Sequence, residues 1–376
     1  MTQKTIGIDG SNIRAGGGLT HLSQLIQHSN QKTQVIVWGG STLVSKLPEK
    51  TWLRKIQVPL LDRSLPVRMI WQQFILPFEL KKTQCDVLFS PGGTLPFNCS
   101  IPAVTMSQNM LPFESKERAR FGLSFMRIKL WLLKFSQSGS FKRAEGLIFL
   151  TEYAKQVVLR RYPSIRAETV MIPHGIEERF RAQPKTQDPK RGQSSEFPFK
   201  FLYVSIIDVY KHQSKVAEAV ASLRKKGISL TVEFVGGAYP PALEVLRKTM
   251  IKLDPKGEFL VYRGMVKFED LHALYRDADG FVFASSCENL PNILIEAMSA
   301  GLPIACSKLG PMPEVLKENG VYFDPENAHS IEEALHELVS SPDQRAKWAQ
   351  GAEQRSRQYS WERCARETFD FISKFG

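Results

Sequence analysis

The 376-residue chain contains no uninterrupted apolar run of the ~18 residues that a membrane-crossing helix needs. Its nearest approach, 121–135, is broken by Arg127, Lys129 and Lys134. Cysteine is scarce: Cys85, Cys99, Cys287, Cys306 and Cys364 are odd in number and scattered. They form neither a Cys-x-x-Cys pair nor a Cys/His cluster, which argues against a disulfide framework or a zinc site and suits a reducing cytoplasm. A basic stretch with a cleavage site is missing at the N-terminus, so no secretory signal is expected. G-x-G-x-x-G is absent too, so a nicotinamide site is not indicated. Acidic residues are the last shortage, 38 against 50 Lys and Arg, a net charge of +12. No nucleic-acid-binding motif accompanies that charge, and no nucleic-acid partner is expected.

What is present is ordinary in bulk, 43% apolar and 23% charged, and long enough for two domains. Short apolar runs alternate with helical patterns, the sign of parallel sheets covered by helices. In the first half strands are expected at 5–8, 34–38, 56–58, 87–90, 104–106, 147–150 and 170–172. Helices are expected at 21–28, 67–81, 113–137 and 152–162. The stretch 177–197, rich in Lys, Arg, Gln, Pro and Ser, reads as a linker or mobile loop. A second α/β series runs from Lys200, with strands expected to 205 and at 230–235, 259–262, 280–284 and 303–307. Its helices are expected at 213–226, 242–253 and 269–276, and three more close the chain from Ser330.

The most informative stretch is Cys287-Glu288-Asn289-Leu290-Pro291-Asn292-Ile293-Leu294-Ile295-Glu296 with Ala297-Met298-Ser299-Ala300-Gly301. Between Asn289 and Ser307 the only charge is Glu296, and an ionised carboxylate in such surroundings is costly unless something hydrogen-bonds to it. Pro291 suits the first turn of a helix that Gly301-Leu302-Pro303 ends. Glu288 then lies on the loop feeding the helix, and Glu296 between one and two turns inside. A helix N-terminus between them suits a phosphate. The order carboxylate, anion cradle, carboxylate matches the hydroxyls, diphosphate and ribose of a sugar nucleotide.

This stretch resembles the E-x7-E motif of retaining glycosyltransferases with the two-domain GT-B architecture, the large family 4 of group 1 glycosyl transferases. Ile6-Gly7-Ile8-Asp9-Gly10 with Gly16-Gly17-Gly18-Leu19-Thr20-His21-Leu22, Met171-Ile172-Pro173-His174-Gly175-Ile176, Val204-Ser205 with Tyr210-Lys211-His212, and Ala305-Cys306-Ser307 with Gly310-Pro311-Met312-Pro313-Glu314-Val315 resemble further family segments, in the family's order. The resemblance implies two Rossmann-like domains facing a cleft. It divides the chain into an acceptor domain (1–176), a linker (177–198), a donor domain (199–358) and a C-terminal helix (359–376) packing back on the first domain. It implies transfer of a sugar from a nucleotide-sugar donor to a saccharide or lipid-linked acceptor, as in synthesis of bacterial lipopolysaccharide O-antigen, capsule or exopolysaccharide.

In that resemblance Glu296 holds the ribose hydroxyls, and Glu288 faces the donor sugar and favours charge at its anomeric carbon. Lys211 reaches the diphosphate. The Arg that usually precedes that Lys is replaced by Ser205-Ile206-Ile207-Asp208. Gly17, Gly18, Ser205, Asn289, Leu290 and Pro291 complete the donor side, with Arg263 as a candidate for the nucleotide or its base. Gln108 and Asn109 stand on the acceptor side, where many members have a His, so a general base is not assigned. His174 reads as a hinge residue. Asp277-Ala278-Asp279 spells D-x-D but closes a helix and enters a strand, so no metal is expected, and no cofactor. Eight basic residues between Lys116 and Arg143 interleave with apolar ones. They fit either a solvated face or an anionic membrane surface, and in the second case the enzyme is peripheral at the inner face. The alternatives are another GT-B enzyme, an epimerase or a phosphorylase, and a non-catalytic basic adaptor for membrane or nucleic acid.

Overall fold

The structure, a computed structural model, describes residues 4–14, 16–30 and 33–376. It divides into two units. The first comprises the chain to Ser115, Leu123–Gly175 and Tyr359–Gly376, and the second Lys116–Gly122 and Ile176–Gln358. The N-terminal three residues of the expected 1–176 domain lie outside the described residues.

The first unit is built on seven parallel strands: β1 (Thr5–Asp9), β2 (Gln34–Gly39), β3 (Leu53–Gln57), β4 (Val87–Ser90), β5 (Ala103–Met106), β6 (Gly146–Phe149) and β7 (Glu168–Met171). Their order is β3-β2-β1-β4-β5-β6-β7, with Ile6 opposite both Val35 and Val87. β1, β2, β4, β5 and β6 are almost wholly buried, which explains why they read as apolar runs rather than alternations. Trp38, Trp71, Leu76, Leu80 and Leu88 fill one side of the sheet.

The C-terminal helix Trp361–Ser373 belongs to this unit and packs on the helix Gly17–Gln27. Gly175 makes the approach possible, since a Cβ there would lie 2.2 Å from the Trp361 nitrogen. Ser360 caps the helix by accepting from the Arg363 N–H at 3.2 Å, and Glu362 pairs with His28 at 2.8 Å.

The second unit carries β8 (Phe199–Val204), β9 (Leu230–Val235), β10 (Leu260–Gly264), β11 (Gly280–Phe283), β12 (Ile304–Ser307) and β13 (Val321–Phe323), all parallel in the order β10-β9-β8-β11-β12-β13. β13 was not expected from the sequence.

Three expected elements differ. The helix expected at 67–81 is Leu65–Ile70, a π turn Trp71–Ile75, then Leu76–Lys82. Pro77 offers no N–H and crowds the carbonyl four residues back, which a widened turn relieves. The helix expected at 113–137 is split into Ser115–Ala119 and Phe125–Arg143. Gly122 at φ 57 turns the chain, and Ser124 caps the second helix through the Arg127 N–H. The stretch 177–197 is no free linker. Phe180 is buried, Ala182 N–H donates to Ser299 O at 2.9 Å, and Arg345 donates to Gln187 and to the Asp188 carbonyl. Hydrogen bonds from scattered side chains fasten it to the second unit, and they leave no periodicity to read.

Candidate active site

β8 and β11 meet where the order of the second sheet reverses, and loops leaving such strand ends are where ligands bind in doubly wound sheets. Lys211 lies on the loop after β8 and Glu288 on the loop after β11. The structure brings them together in a hydrogen-bonded ion pair. The two side chains are only 4% and 16% exposed, so each charge depends on the other. The Lys211 ammonium also stands 5.0 Å from the ring centroids of both Tyr210 and Phe283, a cation–π setting.

Two ties hold the loops in register. Tyr203 donates its hydroxyl to the Lys211 carbonyl and accepts from the Ala284 N–H at 3.1 Å. Burial pushes its phenol far above the usual range, so it stays a donor. Ser286 supplies the second tie: its N–H donates to Tyr210 O at 2.9 Å and its hydroxyl meets His212 Nε2 at 3.0 Å. The same hydroxyl donates to Glu117 at 2.7 Å. Glu117 is buried on the Ser115–Ala119 helix, held by Arg120 at 2.7 Å, and Arg120 also reaches Glu326. Burial, and next the Arg120 charge, lower the His212 pKa to about 4, so its ring is neutral at pH 7. His212 sits at φ 50, a left-handed backbone conformation uncommon for non-glycine residues.

Ser205 ends β8 with its N–H on Val235 O at 2.8 Å. The neighbouring Gly236 at φ 144 must be glycine, because a Cβ would stand 2.1 Å from Ser205 O. Asn289 and Leu290 are buried, and Pro291 is the residue before the helix Asn292–Ser299 rather than inside its first turn. Glu296 is buried within that helix and accepts a hydrogen bond from Tyr275 at 2.8 Å. Burial raises its pKa to about 7 against the opposing Tyr275 bond, with Glu177 adding to the rise and Arg179 reducing it. The sequence singled out this carboxylate but not its partner. Arg263 lies on the edge strand β10, its guanidinium committed to Glu233. Asp277 pairs with Lys200 at 3.2 Å, and Asp279 accepts from the Lys200 N–H at 3.0 Å. Among the described residues no group of three or more His, Cys, Asp or Glu is placed to hold a metal ion.

In the first unit the order reverses between β1 and β4. Asp9 at the end of β1 is buried and accepts from the Ser11 N–H at 2.9 Å and the Ser90 hydroxyl at 3.1 Å. Gly17 and Gly18 open the helix Gly17–Gln27. A Cβ on Gly17 would meet nothing within 4 Å, and one on Gly18 would lie 3.6 Å from Gln108 Oε1. Gln108 meets His21 Nδ1 at 3.3 Å. His21 is buried, and burial with the nearby His174 keeps its pKa well below the ordinary value. Asn109 accepts from the Leu111 N–H at 3.1 Å, shaping the turn. Sequence reasoning passed over His21, although its place three residues after Gly18 was a usable signal.

Residues 184–355 match the family model described as glycosyl transferases group 1. The matched segment is just under half of the chain and contains both Glu288 and Glu296. Among its relatives is the O-antigen chain mannosyltransferase B of Escherichia coli, 36% identical over 113 residues, 29% of each chain. Another is a GDP-mannose-dependent alpha-(1-6)-phosphatidylinositol monomannoside mannosyltransferase of Mycobacterium tuberculosis, 28% identical over 216 residues, 54% of each. The match therefore spans about a third and about half of these two relatives. HepE of Anabaena in complex with UDP-glucose superposes with a TM-score of 0.72 over 98% of this chain and 99% of that one. At 15% identity the likeness speaks for the GT-B fold alone. Within the matched segment the first E-x7-E carboxylate is the one paired with Lys211, and the second is the one bonded to Tyr275.

Proposed function

We propose that this protein is a metal-independent, retaining glycosyltransferase that moves a sugar from a nucleotide-sugar donor to a saccharide or lipid-linked acceptor in cell-surface polysaccharide synthesis, working at the cytoplasmic face of a membrane. The observation that carries the reading is the Lys211–Glu288 pair at the reversal point of the second sheet, on a family segment that also contains the buried Glu296. On this reading Glu296 accepts from the ribose hydroxyls. Lys211 turns to the diphosphate and supports the charge that grows on the departing phosphate oxygen. Glu288 faces the anomeric carbon, where positive charge develops. The bond from that carbon to the phosphate oxygen breaks, and the acceptor oxygen bonds on the same face. The acceptor proton passes to the departing phosphate, so no enzyme base is required. UDP-glucose and GDP-mannose, which occur with the relatives named above, are the donors to test first.

Melting the protein with UDP-, GDP- and ADP-sugars tests the donor class, because a ligand at ~100 times its dissociation constant adds about 2.7 kcal/mol. No shift with any sugar nucleotide would refute the reading. An inverted linkage in the product, read by NMR, would refute the retaining mechanism.

A further inference from the structure

Large apolar side chains face solvent along two helical segments of the first unit. One stripe comprises Leu123, Phe125, Ile128, Leu132 and Phe135, with Trp131 packed on Phe135. The other comprises Ile70, Phe74 and Phe78, exposed to 57, 76 and 66%. A further exposed apolar side chain, Phe97 at 76%, lies on the loop after β4. Phe97 N–H donates to Gln73 at 2.8 Å, and the Arg143 guanidinium lies 4.9 Å from the centre of its ring. Arg143 also donates to Leu95 O at 3.3 Å. Phe97 thus sits beside both the Phe74 segment and the C-terminal end of the Phe125–Arg143 helix. Soluble proteins rarely leave so large an apolar patch without a binding partner.

Cations border it. Arg127, Lys129, Lys134, Lys142 and Arg143 fall in 123–143 without one acidic residue, and Lys81 and Lys82 end the other helix. No helix among the described residues is long and apolar enough to cross a membrane. Exposed aromatics and Leu ringed by Lys and Arg instead match a segment lying within a lipid interface. A second copy of the same surface would set these cations against one another.

We propose that both helical segments and the Phe97 loop form one platform seated in the headgroup region of an anionic bilayer. This deepens the reading of a membrane-borne acceptor, and it is measured without donor or acceptor, so the two fail separately. The test is flotation with phosphatidylcholine vesicles with and without phosphatidylglycerol. Wild type should float with the anionic vesicles. Phe74→Ser/Phe78→Ser and Trp131→Ser/Phe135→Ser should each lower the partition coefficient at least ~10-fold. Arg127→Gln/Lys129→Gln/Lys134→Gln should lower it about 100-fold, at about 1 kcal/mol per cation, and flatten its salt dependence. Phe97→Ser, on the loop after β4, gives an independent reading if a helix variant fails to fold. Three results overturn the proposal: wild type that ignores both vesicle types, a folded Phe74→Ser/Phe78→Ser variant that floats like wild type, or a dimer that Phe74→Ser dissociates without any effect of lipid.

Discussion

Replacing Glu296 by glutamine should change how the stability of the second unit responds to pH. In the folded protein this carboxyl titrates at about 7, against about 4.5 when exposed. A raised pKa means the folded state holds its proton longer. The stabilisation is fully present below pH 4.5 and is lost as pH rises through 7. Between pH 5 and pH 8 the loss is about 2.5 kcal/mol. His212 works in the opposite sense: its pKa falls to about 4 from 6.5, so its contribution is present above 6.5 and disappears as pH falls through 4. Over the same interval that amounts to a gain of about 2 kcal/mol with rising pH. The two nearly cancel in wild type. Glu296→Gln keeps an acceptor for Tyr275 but removes the titration, so the His212 contribution should emerge. Urea unfolding of both proteins at pH 5 and pH 8 should show the variant gaining roughly 2–3 kcal/mol more than wild type across that range. Equal pH responses would mean that Glu296 is not held neutral by burial, and the electrostatic account of this helix would be wrong.

At pH 8, above the Glu296 pKa of about 7, Glu296→Ala should weaken nucleotide binding by roughly 1.5–3 kcal/mol, the worth of hydrogen bonds to a charged acceptor; calorimetry on the folded variant showing unchanged affinity would remove it from the site. Lys211→Ala should lower turnover. Because it leaves Glu288 without its partner, it should also lower stability by about 3 kcal/mol, and a Lys211→Met/Glu288→Gln double variant that melts no higher than Lys211→Ala would contradict that cause. Ser286→Ala should reduce kcat more than it raises the donor KM, since it loosens the loops carrying Lys211 and Glu288 without touching the ligand; an unchanged kcat would make the serine a packing residue only.

The sequence made much of the second sheet legible, because most of its strands are short apolar runs. Gln213–Lys225 and Leu230–Val235 fall within a residue of expectation. The two glutamates were legible for a different reason: charge is conspicuous in an apolar stretch. Their partners were not. Tyr275 precedes Glu296 by 21 residues, and Glu117 precedes Ser286 by 169, and no local periodicity records such distances. The π turn before Pro77 escaped because a helical pattern survives in sequence even where the backbone widens.

Glu117 also changes the meaning of the basic segment that begins at Lys116. By composition alone 116–143 is one charged, apolar-rich run, and a single helix accounts for it. In the structure Gly122 and Ser124 cut it in two, and the halves have different surroundings. Before the cut, Lys116 and Arg120 are neutralised by Glu326, and Glu117 is drawn into a buried bond with Ser286. Those basic charges each have an acidic partner within the second unit, although Lys116 itself is 69% exposed. After the cut, Arg127 and Lys129 stand exposed beside Phe125 and Ile128. Within 116–143 the attraction to an anionic surface should therefore come from the part after the cut, and substitutions at Lys116 or Arg120 should disturb the Ser286 network rather than lipid binding. Vesicle flotation of Lys116→Gln decides between the two: partition close to wild type follows from this division, whereas a fall as large as that of Lys129→Gln would mean that the segment acts as one charged face.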